Sequence, residues 1–196
     1  MSRASRSDIL YDGCYVHVFS RSVDQIRIFE KPGDFEKFKS LLGRFKGEFQ
    51  CSIHHYCLMH THFHLVVSVG SLPLFSKAMK MLKFQYSYWF NRVTHRSGAL
   101  WCERFKSMLI EDGAYLYACG LYVESNPVRA KMVGRDQDWP YSSSRFYRLS
   151  TKDALVEPYD QENVPEGVDI NDEQFFTKGK VIGSSIFRMH IEEHKL

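Results

Sequence analysis

The stretch YCLMHTHFHLVV, residues 56–67, carries His60, His62 and His64 at alternate positions directly before an apolar run. Side chains at i and i+2 of a β-strand share a face, so His62 and His64 point the same way if a strand forms here. Two neutral imidazoles side by side are half of a metal site. A pair of surface histidines on an edge strand explains the pattern equally well, and a lone H-x-H does not choose between the two. A divalent ion needs further ligands, and a second segment offers candidates. In AYLYACGLYVESNPVRA (114–130), Tyr115, Cys119, Tyr122 and Asn126 recur at spacings of four, three and four, close to one helical face. Periodicity alone reads these tyrosines as core residues and Asn126 as a cap.

The elements that must position these groups follow from hydrophobic period and turn chemistry. CYVHVFSR (14–21) alternates and is rich in β-formers, which predicts a strand. KPGDFEKFKSLLGRFKGEFQ (31–50) places Phe35, Phe38, Leu41, Leu42, Phe45 and Phe49 on a helical stripe, with Asp34 as N-cap. CSIHHYCLM and HFHLVVSV predict two strands joined by a tight turn at His60-Thr61, so His62 and His64 open the second strand. LPLFSKAMKMLKFQYSYWFNRV (72–93) reads as a helix with Phe75, Met79, Leu82, Tyr86 and Trp89 inward. RFKSMLI (104–110) predicts a strand and AYLYACGLYVE (114–124) a helix. That helix ends near Ser125, because Pro127 disfavours the α region for Asn126. Asn126 and Pro127 suit the N-cap and first position of a short helix, PVRAKMV. Strand, helix, hairpin, helix, strand, helix gives an α+β sandwich: helices packed on a small, mainly antiparallel sheet.

Composition narrows the class of partner. The chain is 44% hydrophobic and 25% charged, as in soluble globular proteins. No segment approaches the ~18 apolar residues of a membrane span, and the start MSRASRSDILYDG has no apolar signal region. Five scattered cysteines make no disulfide framework and fit a reducing cytoplasm. The net charge of +3 conceals an asymmetry. Residues 150–196 hold five basic and ten acidic side chains, leaving 21 basic and 13 acidic in residues 1–149. Residues 76–106 alone have seven basic residues against Glu103, which fits a polyanionic partner or a solvated lysine-rich surface equally well. The chain therefore divides into a basic body, 1–149, and an acidic extension, 150–196, that acts as a tether or docks on the core. Phe175, Phe176, Ile182, Ile186 and Phe187 give the extension more apolar groups than a tether needs, and FRMHIEEHK predicts a short terminal helix.

Four blocks in order, YCLMHTHFHLVV, LWCERFKSMLIED, AYLYACGLYVESNPVRAKMV and DWPYSSSRFYRL, resemble the single-tyrosine HUH transposases, most of all the REP-associated tyrosine transposases. The resemblance spans about residues 9–149 and implies a ferredoxin-like sandwich. By it, His62 and His64 are metal ligands, Asn126 is a third ligand, and Tyr122 is the nucleophile. It further implies a divalent cofactor, Mg²⁺ or Mn²⁺. The implied partner is single-stranded DNA carrying palindromic hairpins, nicked and rejoined through a 5′-phosphotyrosine by a monomer or homodimer. Lys77 and Lys80, with Lys83, Arg92 and Arg96, are candidates for DNA phosphates, and Arg104, Lys106 and Arg129 for the scissile strand. Phe84, Tyr86, Tyr88, Trp89 and Phe90 are stacking candidates, most of them expected in the core. His60-Thr61 replaces the family's usual Pro-Asn, which either changes the turn alone or makes His60 a competing ligand. Two other readings stay open: a metal-dependent phosphodiesterase with water as nucleophile, and a zinc-stabilised nucleic-acid-binding module built on Cys51, His54, Cys57 and a later histidine.

Overall fold

A computed structural model describes residues 9–193. The chain start through Ser7 and Asp8, and residues 194–195 of the expected terminal helix, lie outside them. β1 (Tyr15–Arg21) leads to α1 (Pro32–Glu48), the hairpin β2 (Cys51–Met59) and β3 (His62–Val69), α2 (Leu72–Val93), β4 (Lys106–Ile110) and α3 (Ala114–Glu124). Two short helices follow, α4 (Asn126–Arg129) and α5 (Ser144–Leu149). The acidic extension adds α6 (Glu173–Thr177), β5 (Val181–Ile182) and α7 (Ser185–Glu193). The sheet runs β2-β3-β1-β4-β5, antiparallel except for the parallel pair β4–β5. The βαββαβ order with strands arranged 2-3-1-4 is the ferredoxin-like arrangement.

Strand alternation gives the sheet two different faces. Val16, Val18, Phe63, Leu65 and Val67 join a large core with Phe35 and Phe38 of α1 and Phe75, Leu82 and Tyr86 of α2. On the other face Phe19, Cys57, Met59, Val66, Met108 and Ile110 pack with Leu116, Cys119 and Tyr122 of α3. A bulge between Ile53 and His55 keeps both halves of β2 in this pattern. The outer side of β2 and the open side of β4 are both paired by later segments of the chain, as strands with free amides require. Beside β2, Leu58 N donates to Tyr141 O and Ser143 N to Tyr56 O, while Glu157 N donates to Ile53 O. Beside β4, Leu109 N donates to Lys180 O and Glu111 N to Ile182 O. The Glu111 carboxylate also accepts from Ser184 N at 2.6 Å. Leu155, Val156, Phe176 and Ile182 of the extension are buried. Among the described residues no helix is long and apolar enough to cross a membrane.

Local chemistry departs from the expectations at three points. Asp34 is the third helical residue of α1, and its carboxylate reaches back to accept from the Glu30 and Lys31 amides at 3.0 and 2.8 Å. It satisfies the amide at the N-cap position and the one before it, as the N3 carboxylate of a capping box does from inside the first turn. Asn126 lies within α4 and Ser125 caps it, because α3 passes into α4 with only Ser125 between them. The strand expected from Arg104 begins at Lys106, after Phe105 has turned into the core.

Candidate active site

The two-residue turn His60-Thr61 is pinned from outside the hairpin. Ser22 N donates to Thr61 O, and Ile28 N and Phe29 N both donate to His60 O. His60 directs Nδ1 to Phe29 O at 2.6 Å and meets the Phe35 and Trp139 rings edge-on. It is thereby committed to the α1 side of the hairpin end.

His62 and His64 face α3, with ring centroids 5.2 Å apart. Each has Nδ1 in a polar contact. His62 meets Thr61 Oγ1 at 3.0 Å and His64 meets His17 Nε2 at 2.9 Å. Nε2 is the available ring nitrogen of each. Burial holds both rings uncharged: His62 is lowered to about 4, with Arg21 adding to the effect, and His64 lies well below the ordinary histidine value. Uncharged imidazoles with Nε2 available are what a divalent ion requires, so the pair fits a metal. Asn126 donates from Nδ2 to Tyr122 O and Val123 O at 3.1 and 3.0 Å. Carbonyl oxygens only accept, so the amide orientation is fixed and Oδ1 is the atom left over for a further contact. Among the described residues no cluster of three His, Cys, Asp or Glu side chains could hold an ion. Two imidazoles and one amide oxygen would be an open shell, leaving positions to water and substrate oxygens.

Tyr122 projects from α3 onto this face, its ring centroid 6.0 Å from His64 and 5.9 Å from His17. It is 1% exposed, and the Phe176 ring of α6 stacks on it at 4.5 Å. The Arg129 guanidinium lies 4.0 Å from the ring centroid and donates to Tyr122 O at 3.1 Å and to Ser125 Oγ at 2.5 Å. Burial pushes the phenol up to about 12 against the opposing pull of Arg129. A buried polar row fixes α3 behind it. Glu124 accepts from Ser143 Oγ at 2.7 Å and pairs with His55 Nδ1 at 2.8 Å, and His55 Nε2 meets Tyr159 Oη at 2.8 Å. Gly120 is required there, since a Cβ would lie 2.3 Å from His55 Nε2.

The candidate DNA-contact residues divide by face. Arg129 lies against Tyr122, and Lys106 Nζ is 5.9 Å from the Phe19 ring, which stacks on His64. Lys106 also pairs with Glu103 at 3.2 Å. Arg104 is exposed in the segment before β4. Lys77 and Lys80 are exposed on α2, which covers the opposite face of the sheet. Lys83 is no phosphate ligand: it is buried and donates to Ser20 Oγ and Glu103 O at 2.7 and 2.6 Å. Of the stacking candidates Tyr86 and Phe90 are core, while Phe84 and Tyr88 are exposed. The zinc set does not converge: Cys51 packs on the α1/α2 core, Cys57 lies on the α3 face, and His54 bonds Glu157 O.

The family model for IS200-like transposases matches residues 10–126, well over half the chain. The chain belongs to the IS200-like transposases. It is thus a transposase-type protein that acts on DNA. Its fold is similar to the solved structure of a REP-associated tyrosine transposase bound to a REP hairpin, at TM-score 0.63 and 16% identity, covering 86% of this chain and all of the other. A putative transposase from Deinococcus radiodurans matches more loosely, at TM-score 0.41 and 13% identity over 67% of this chain and 92% of that one. No curated protein matches it in sequence. In this IS200-like transposase the residues that sequence reasoning missed are His17, on β1 beside His64, and Phe176, over Tyr122. An inward histidine between Val16 and Val18 was the available signal for the first. Nothing local marked the second.

Proposed function

We propose that this IS200-like transposase nicks and rejoins single-stranded, hairpin-bearing DNA in the cytoplasm, with Tyr122 as nucleophile and a divalent metal as cofactor. The observation that carries the reading is the placement of Tyr122 on the same face as His62 and His64, 6.0 Å from the His64 ring and beneath the Arg129 cation. Tyr122 Oη forms a bond to phosphorus, the P–O3′ bond breaks in line, the phenolic proton passes to water and the departing 3′-oxygen is protonated. The product is a 5′-phosphotyrosine and a free 3′-OH. The covalent ester keeps its energy, so attack by another 3′-OH runs the step backwards and joins strands.

A phenol held near 12 is a weak nucleophile, and Arg129 is the residue that favours its ionised form and faces the anionic phosphate. His62, His64 and Asn126 would hold the metal. Bound there, Mg²⁺ or Mn²⁺ would polarise a non-bridging phosphate oxygen and stabilise the leaving oxygen. Phe176 must leave the Tyr122 ring before a phosphodiester can approach, because the ring is 1% exposed beneath it. Arg104, Lys106 and Arg129 are the residues assigned to the scissile strand, with Lys77 and Lys80 assigned to a second segment crossing α2. The hairpin in the neighbouring REP-transposase structure supports the choice of DNA. Incubation with labelled single-stranded hairpin DNA and Mn²⁺, followed by denaturing gels, tests the proposal. Cleavage with protein-linked label is expected. Cleavage without linkage would point to a phosphodiesterase that uses water.

A further inference from the structure

His17 sits in a hydrogen-bonded row whose direction is fixed from one end. Phe176 O can only accept, so its 2.8 Å contact places a hydrogen on His17 Nδ1. His17 is fully buried among the rings of Phe19, His64 and Tyr122, and the Arg129 guanidinium lies against that same Tyr122 ring. Such surroundings favour the uncharged ring. An uncharged imidazole with hydrogen on Nδ1 has a bare Nε2, which accepts. His64 Nδ1, 2.9 Å away, must therefore donate, and His64 in turn keeps a bare Nε2.

We propose that His17, anchored on the Phe176 carbonyl, is a positioning residue that locks His64 in the tautomer whose Nε2 is free to bind a divalent cation. The cation-binding part rests on the metal reading above; the row itself does not. His62 has no such lock, because its Nδ1 meets the Thr61 hydroxyl, which can donate or accept. The anchor belongs to the acidic extension, so residues beyond 150 orient a ligand on β3 through β1. Outer hydrogen bonds of this kind fix the ring and raise ligand basicity, and their loss typically costs about 10–100-fold in metal affinity.

Two variants separate orientation from packing. His17→Phe keeps the ring volume and removes both nitrogens, while His17→Gln keeps a side-chain acceptor toward His64. Long-range ¹H–¹⁵N NMR of histidine-labelled, metal-free full-length protein reads the His64 tautomer directly. Manganese titration followed by electron paramagnetic resonance reads affinity. The expected result is hydrogen on Nδ1 of His64 in the wild type and in H17Q, and a shift toward Nε2 in H17F. Mn²⁺ affinity should fall about 10–100-fold in H17F and stay within about threefold of wild type in H17Q. Hydrogen on His64 Nε2 in the wild type, an unchanged tautomer in H17F, or equal affinity losses in both variants would overturn the proposal. The wild-type spectrum and H17Q decide the matter even if H17F does not fold. The expected tautomer in a protein that binds no Mn²⁺ would instead remove the metal assignment and leave the row standing.

Discussion

Acid should unfold the metal-free protein at a pH well above the carboxylate range. His17 and His62 are each lowered from 6.5 to about 4, and His54 and His64 shift the same way. Between pH 6.5 and 4 the unfolded chain takes up protons that the folded chain refuses. Stability is therefore full above about 6.5 and is lost as pH falls toward 4. A difference of roughly 2.5 pKa units corresponds to about 3 kcal/mol per residue by pH 4, so His17 and His62 together cost about 6 kcal/mol there. Ordinary domains have only ~5–15 kcal/mol in all. Near pH 5, His17 and His62 alone give a slope of about 2 kcal/mol per pH unit, and His54 and His64 add to it in the same direction. Urea unfolding in EDTA at pH 7, 6, 5 and 4.5, followed by tryptophan fluorescence, measures it. His17→Gln should reduce the slope by about one proton, or 1.4 kcal/mol per unit. A change under about 1 kcal/mol between pH 6.5 and 4.5 would refute the reasoning.

Gly120→Ala should destabilise the fold by at least about 3 kcal/mol in denaturant titration, since its Cβ would strike His55 while Glu124 and Tyr159 hold that ring in place. Phe176→Ala should cost about 3–5 kcal/mol and, by opening Tyr122 to water, bring its titration down from about 12 toward 10 in ultraviolet difference spectra. His60→Ala should slow metal-dependent cleavage less than about tenfold, because His60 is bonded to Phe29 O; a loss matching that of His64→Ala in gel assays would make it a ligand.

The frame of the molecule was legible because its signals are local. The period-2 runs of β2 and β3, the two-residue turn between them and the apolar stripes of α1 and α2 each depend on neighbours in sequence. The pairing of Tyr122 with the two histidines was legible only through the family resemblance, since spacing alone left the tyrosine a core residue. The His17 row was not legible, because it joins residues 17, 64 and 176, and no period connects positions 47 and 159 apart. The His55–Glu124–Ser143 row was hidden for the same reason. The exposure of Phe84 and Tyr88 beside buried Tyr86 and Phe90 depends on which side of α2 meets the sheet, which composition does not fix.

The central claim is that the Tyr122 hydroxyl is the group that joins to DNA. The direct measurement is mass spectrometry of the protein after reaction with single-stranded hairpin DNA and Mn²⁺, with Tyr122→Phe run in parallel. The phenol is buried against Phe176, so removing one oxygen leaves the ring packing in place, and the variant should fold and bind DNA like the wild type. The expected result is a nucleotide adduct on the peptide that contains Tyr122, and neither adduct nor cleavage in the variant. An adduct on Tyr115 or Tyr117, or full cleavage by Tyr122→Phe, would contradict it.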